Sequence, residues 1–174
     1  MRRVVTGTTA AGTSVFVNDG AAEPITVAMA PGVEWYEIWG DDAIPRLPSD
    51  GSAPDAKTYF PPASGFRFGF FTVPPDGLAP PADLDMDAAV AEVNEKLPGM
   101  LDVQEADNPG MHRTDTVDYI VVMSGEVSLE LDDGKTVHLR AGDCVVQNGT
   151  RHAWRNTSNA PCVMAYAIVG ARST

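Results

Sequence analysis

Alternation with period two dominates the second half of this chain. Side chains of a strand point in turn to opposite faces. DYIVVM, residues 118–123, therefore sets Asp118, Ile120 and Val122 against Tyr119 and Val121. Extended backward, the first face also takes His112 and Thr114, while Asp115 falls on the other. Ser124-Gly125 ends this strand, and VSLEL (127–131) follows with Val127, Leu129 and Leu131 inward. Asp132-Asp133-Gly134-Lys135 predicts a tight hairpin, because glycine accepts the positive φ such turns need. TVHLR (136–140) returns with Val137 and Leu139 inward and His138 toward solvent, and CVVQ (144–147) makes the next strand. Gly149 bends the chain into RHAWRN, where Trp154 shares parity with His152 and Arg151 and Arg155 take the opposite face. The nearly continuous apolar run CVMAYAIVG (162–170) predicts a strand buried on both sides.

The first half is less regular. RRVVT (2–6) and TSVFV (13–17) predict a short strand pair closed by Asn18-Asp19-Gly20, too small to stand without packing on something else. VEWYEIWG (33–40) alternates, placing Trp35, Glu37 and Trp39 on one face, which predicts core or a dimer interface. Five prolines make residues 41–65 an extended surface loop. FRFGFFTV (66–73) predicts a strand with Phe66, Phe68 and Phe70 of one parity and Phe71 of the other. Residues 84–97 carry the one helical pattern, with Met86, Val90, Val93 and Leu97 as its buried face, acidic residues at its start and Pro98-Gly99 as its stop. Glu92, Glu95 and Lys96 then form a solvated face.

The expected fold is all-β: one domain in which residues 1–82 supply N-terminal strands and proline-rich loops, 83–98 a helix and 111–170 an antiparallel barrel. At 174 residues the chain can bury a sizeable core. Its net charge of -12 opposes binding to nucleic acid or to anionic membrane surfaces. No apolar run reaches the length of a membrane span, and Arg2-Arg3 is followed by Thr, Gly and Ala, without a signal-peptide core. Cys144 and Cys162 both lie in apolar runs, which predicts buried, reduced thiols in a cytoplasmic protein.

Residues 112–156 resemble the two motifs of the cupin superfamily. His112 matches the first histidine of the first motif, Thr114 stands where its second histidine would be, Asp118 stands for its glutamate, and Gly125 matches its closing glycine. Gly142 opens the second motif, and Gly149, His152 and Asn156 keep its G-x2-H-x3-N spacing, without its proline. The resemblance implies a cupin-type jelly-roll barrel whose N-terminal strands extend the sheet or cross to a second subunit in a homodimer. It also implies a divalent metal (iron, manganese, nickel or zinc) held by His112, Asp118 and His152. Dioxygenase, decarboxylase, isomerase and lyase chemistry all lie within the family's range.

Three readings of the site follow. Two histidines and a carboxylate suffice for a facial metal triad with positions open to substrate or dioxygen, making His112, Asp118 and His152 both ligands and catalytic residues. The same three groups also suit a hydrogen-bonded polar cluster in a metal-free barrel that binds a small ligand without catalysis. In the third, Asp118, desolvated to a raised pKa, is a general base beside a histidine, with no metal. In each, the partner is a small apolar or aromatic molecule. Trp154 is its expected pocket wall, and Thr114 a second contact. Asn156 is expected to satisfy backbone groups in its turn.

Overall fold

The alternating runs become strands, and their inward parities converge on one core. A computed structural model describes residues 1–173. β1 (Arg2–Thr8) and β2 (Ser14–Ala21) form a separate antiparallel hairpin. β3 (Glu34–Asp41), β4 (Phe66–Val73), β5 (Thr116–Ser124), β8 (Cys144–Asn148) and β10 (Cys162–Gly170) make a five-stranded sheet in the order β3-β4-β10-β5-β8. β6 (Glu126–Glu130), β7 (Thr136–Arg140) and β9 (Ala153–Arg155) make a three-stranded sheet in the order β7-β6-β9. All pairings are antiparallel. The result is an antiparallel barrel of two facing sheets. Ile120, Val122, Met164, Tyr166 and Ile168 of the larger sheet meet Val127 and Leu139 of the smaller in one cluster.

Helix α1 (Met86–Lys96) starts where Asp85 caps it, its side chain accepting from the backbone N–H of Ala88. The buried side differs from the expected stripe. Ala89, Val93 and the following Leu97 are buried, whereas Met86 is 54% exposed and Val90 lies at the surface. The small Ala89 brings the helix close, so the face rotates by a position. Glu92 and Lys96 are also more than a solvated face: Glu92 accepts from the N–H of Ala28, and Lys96 bonds both Glu92 and the carbonyl of Thr26. They fasten the helix to the segment carrying Val27.

Several expectations need correction. A bulge at Ile38 shifts the β3–β4 register between Glu37 and Trp39. An extra residue in a strand reverses the face of everything after it. Trp35 thus packs on the core while Trp39 turns to the side of Phe66 and Phe68, and the two indoles do not share a face. The β1–β2 hairpin runs through Asn18-Asp19-Gly20 instead of closing there, and it does not extend either barrel sheet by ladder pairing. Val137, on the edge strand β7, is 60% exposed instead of turned inward. Cys162 is buried as expected, but Cys144 is exposed, since Val145 takes the inward parity in β8.

The larger sheet's outer face is also apolar. Tyr119, Val121 and Met123 on β5, Val146 on β8, Phe68 on β4 and Val169 on β10 are all exposed large hydrophobic residues. No outward position of β4, β5, β8 or β10 between residues 66 and 169 carries a charge in a chain whose net charge is -12.

Candidate functional site

His112 and His152 meet through their backbones before their side chains. Each donates its N–H to the other's carbonyl at 2.9 Å, an antiparallel bridge that puts both rings on the same side. The ring centroids lie 4.3 Å apart. Nδ1 of His112 bonds the carbonyl of Gly110 at 3.0 Å and Nδ1 of His152 that of Thr150 at 2.9 Å. A carbonyl only accepts, so Nδ1 is the donor in both rings, and Nε2 of each neutral ring carries a lone pair. Burial lowers the pKa of His112, against the carbonyl of Gly110. Burial, then the charge of His112, pushes His152 down to about 4. The pair is neutral at pH 7.

Asp118 enters the same space from β5, through the inward parity it shares with Ile120 and Val122. It is 5% exposed, and its Oδ1 has no hydrogen-bond partner among the described residues. Desolvation raises its pKa to about 6, against a lowering by the Thr116 hydroxyl. Across the β5–β8 ladder, Gln147 is also buried with an unpaired Nε2, its Oε1 being taken by the Thr150 hydroxyl.

His112, His152 and Asp118 line a cavity of about 350 Å³ inside the barrel. Trp35, Phe60, Phe71 and Trp154 give it aromatic walls, with Val27, Leu97 and Met100 closing the helix side. Trp154 stands edge-on to both His152 and Phe71, at 6.0 and 6.3 Å between centroids, so the expected wall residue is in the lining. Tyr59 and Tyr166 also line it, their rings 6.3 Å apart. Desolvation raises Tyr59 well above the ordinary phenol value and Tyr166 to about 12, so both keep their protons as O–H donors. Gly69 makes room for Tyr166: a Cβ there would lie 2.5 Å from its hydroxyl oxygen.

Thr114 is placed elsewhere. It is buried, its hydroxyl is 2.8 Å from that of Thr116, and it is not in the cavity lining. Asp115 turns outward, where Ser173 bonds it. Asn156 is fully buried, its amide serving the carbonyls of Val73 and Ala160 and its carbonyl the N–H and hydroxyl of Ser158. Arg151 and Arg155 face out as expected and clamp the strip before His112. Arg151 holds Glu105 by two bonds of 2.5 and 2.6 Å, and Arg155 holds Glu130, the carbonyl of Pro109 and Asn108.

The expected metal triad is not assembled. Among the described residues no three His, Cys, Asp or Glu side chains converge on a point that could hold one ion. The two imidazoles pair with each other, whereas the charge of Asp118 is felt at Tyr59. The residues present therefore do not fit a two-histidine, one-carboxylate centre in this arrangement.

Residues 99–169 match the family described as "Cupin domain". Among curated proteins, the "Phomopsin biosynthesis cluster protein C'" of Diaporthe leptostromiformis is 47% identical over 60 residues, 34% of this chain and 32% of that protein. The "Oryzines biosynthesis cluster protein J" of Aspergillus oryzae is 36% identical over 110 residues, 59% of this chain and 60% of that protein. A "Cupin-domain-containing oxidoreductase" of Neurospora crassa is 31% identical over 88 residues, 45% of each chain. The chain thus spans between about a third and three fifths of the length of these relatives. No helix among the described residues is long and apolar enough to cross a membrane.

Proposed function

The chain belongs to the cupin superfamily, and from that premise we propose that it is an enzyme that moves a proton on a small, largely aromatic substrate held inside the barrel, with Asp118 as the general base. One observation carries this reading: a carboxylate 5% exposed, with one oxygen unpartnered, lines a largely apolar cavity. A buried polar atom without a partner destabilises the fold unless a ligand completes it, and such atoms gather at functional sites. The base takes a proton from an acidic C–H or O–H of the substrate, and the electron pair moves onto a conjugated carbonyl oxygen. The Tyr166 hydroxyl, still protonated and hydrogen-bonded by Tyr59, is the donor available to that oxygen. Reprotonation at a second carbon completes an isomerisation; expulsion of a neighbouring hydroxyl completes an elimination. The relatives named for biosynthesis clusters support a small biosynthetic intermediate as substrate.

Deuterium exchange into 2-tetralone, a neutral bicyclic ketone with acidic C–H bonds, tests the reading in D2O by NMR. Exchange above the buffer rate that survives exhaustive chelation is expected. An unchanged buffer rate with 2-tetralone bound would overturn it.

A second reading comes from the histidines. Metal-binding imidazoles usually have one nitrogen fixed by a carbonyl and the other free, as both rings have here. With the relatives named as oxidoreductases, this favours iron, manganese, nickel or zinc at the two Nε2 atoms. Elemental analysis decides: substoichiometric metal in the wild type is the result expected of the proton-transfer reading. A stoichiometric metal lost in both His112→Ala and His152→Ala would replace it.

Assembly as a homodimer rests on the uncharged outer face of β4, β5, β8 and β10 in the larger sheet. Two copies of a chain of net charge -12 can approach there without apposing like charges, and sheets pack well face to face. Light scattering at micromolar concentration is expected to give twice the monomer mass, and Val146→Glu to halve it. A monomeric wild type would refute the pairing.

A further inference from the structure

The cavity's polar groups point to a narrower substrate class, one that rests on the proton-transfer reading but is tested apart from it. Among the described residues no lysine or arginine lines the cavity. Its one charged group is the acid Asp118, whose Oδ1 has no partner. Nε2 of His112 and of His152 are lone pairs, because each Nδ1 is committed to a backbone carbonyl. Three acceptors thus line a space that has aromatic walls, two phenol hydroxyls and, among the described residues, no cation. A carboxylate or phosphate brought here would be desolvated with no counter-charge and placed beside a like charge, which is strongly unfavourable. A neutral ring with an O–H would instead complete the orphaned oxygen by a charge-assisted bond.

We propose that the cavity selects a neutral, hydroxyl-bearing aromatic or enolic substrate by hydrogen bonding of its O–H to Asp118, beside the uncharged His112/His152 pair, and that it rejects carboxylate-bearing molecules. Gln147 offers a competing fate for Asp118, since its unpaired Nε2 lies on the residue directly across the ladder. A side-chain shift that joined the two would satisfy the orphaned oxygen and remove the preference for a hydroxyl.

Three probes of similar size separate these cases: 2-naphthol, its methyl ether and 2-naphthoate at pH 7.5. Quenching of the cavity tryptophans Trp35 and Trp154, backed by calorimetry, reads the binding. The naphthol is expected to bind at least roughly ten-fold tighter than the ether, the worth of one hydrogen bond to a charged group. The naphthoate is expected not to bind at the same concentrations. Asp118→Val, which puts an apolar side chain in the acid's place, should bring naphthol and ether to within about two-fold of each other and let the ether bind no more weakly than before. Equal affinity of naphthol and ether for the wild type, or tight naphthoate binding, overturns the proposal. Deuterium exchange into 2-tetralone that persists alongside that result leaves the catalytic reading standing. A clear naphthol preference with no exchange strikes the catalytic reading and spares this one.

Discussion

Asp118→Asn is expected to make the protein more stable at pH 8 and to slow 2-tetralone exchange by on the order of a hundred-fold or more, the usual worth of a positioned base. The carboxyl's folded pKa of about 6 lies above its ordinary 3.8. At about 1.4 kcal/mol per pKa unit, ionising it inside the barrel costs about 3 kcal/mol. The sign follows from linkage: the protonated carboxyl is favoured by folding, so its contribution is intact below about pH 4 and is lost as pH rises through 6. Asparagine stays neutral throughout and escapes that loss. Its own unpaired N–H offsets about 1 kcal/mol, leaving a net gain of about 2 kcal/mol and a melting midpoint higher by roughly 4–8 °C at pH 8. The gain should vanish near pH 4. Loss of activity joined to a rise in stability marks a group kept for work. A merely structural polar cluster would lose stability in the same variant.

Arg67→Met is expected to go the other way, lowering stability by about 3–5 kcal/mol, as when one member of a buried ionic network is removed. The guanidinium is 5% exposed. Its Nε bonds the carbonyl of Thr58, its Nη1 the carbonyls of Asp41 and Phe66, and its Nη2 both the Thr58 carbonyl and Oδ1 of Asp42, the last at 2.5 Å. Desolvation works to raise the Asp42 carboxyl, but the Arg67 bond and further contacts win and hold it below its ordinary pKa. Methionine fills the volume and leaves those acceptors buried and unpaired. Because Tyr59 and Phe60 follow Thr58 directly and line the cavity, naphthol affinity should fall with stability. Arg67→Lys should rescue little, as one ammonium cannot serve both edges of that fork. A melting midpoint within about 2 °C of wild type would show that the loop is held by something else.

The barrel was legible where periodicity was unbroken. β5 and β10 alternate without interruption over the core, so the inward turn of Asp118 and the outward turn of Tyr119 follow from parity alone. His152 and Trp154 lie together in the lining for the same reason. Parity failed where a single residue changed the count. The bulge at Ile38 cannot be seen in an alternating string, and it sent Trp39 away from Trp35. The helix pattern favoured the larger Met86 and Val90 over Ala89, although close packing selects the smaller residue. Tyr59 and Phe60 were hidden in a proline-rich loop whose composition reads as surface. The available signal was an aromatic pair amid prolines, with a lone arginine inside the aromatic strand of residues 66–71 to hold it. Tyr166 was masked by the uniform apolarity of its strand. Spacing brings His112, His152 and Asp118 to one cavity, as expected, and among the described residues it does not group them as three ligands of one ion.

Titration of the Asp118 side-chain carboxyl by 13C NMR, assigned by its loss in Asp118→Asn, tests the buried-base reading most directly. A midpoint near 6 that moves when 2-naphthol is added is the expected result. A midpoint near the ordinary 3.8, unmoved by the naphthol, would mean that water or another side chain already satisfies the carboxylate, and that Asp118 is not the working group of the cavity.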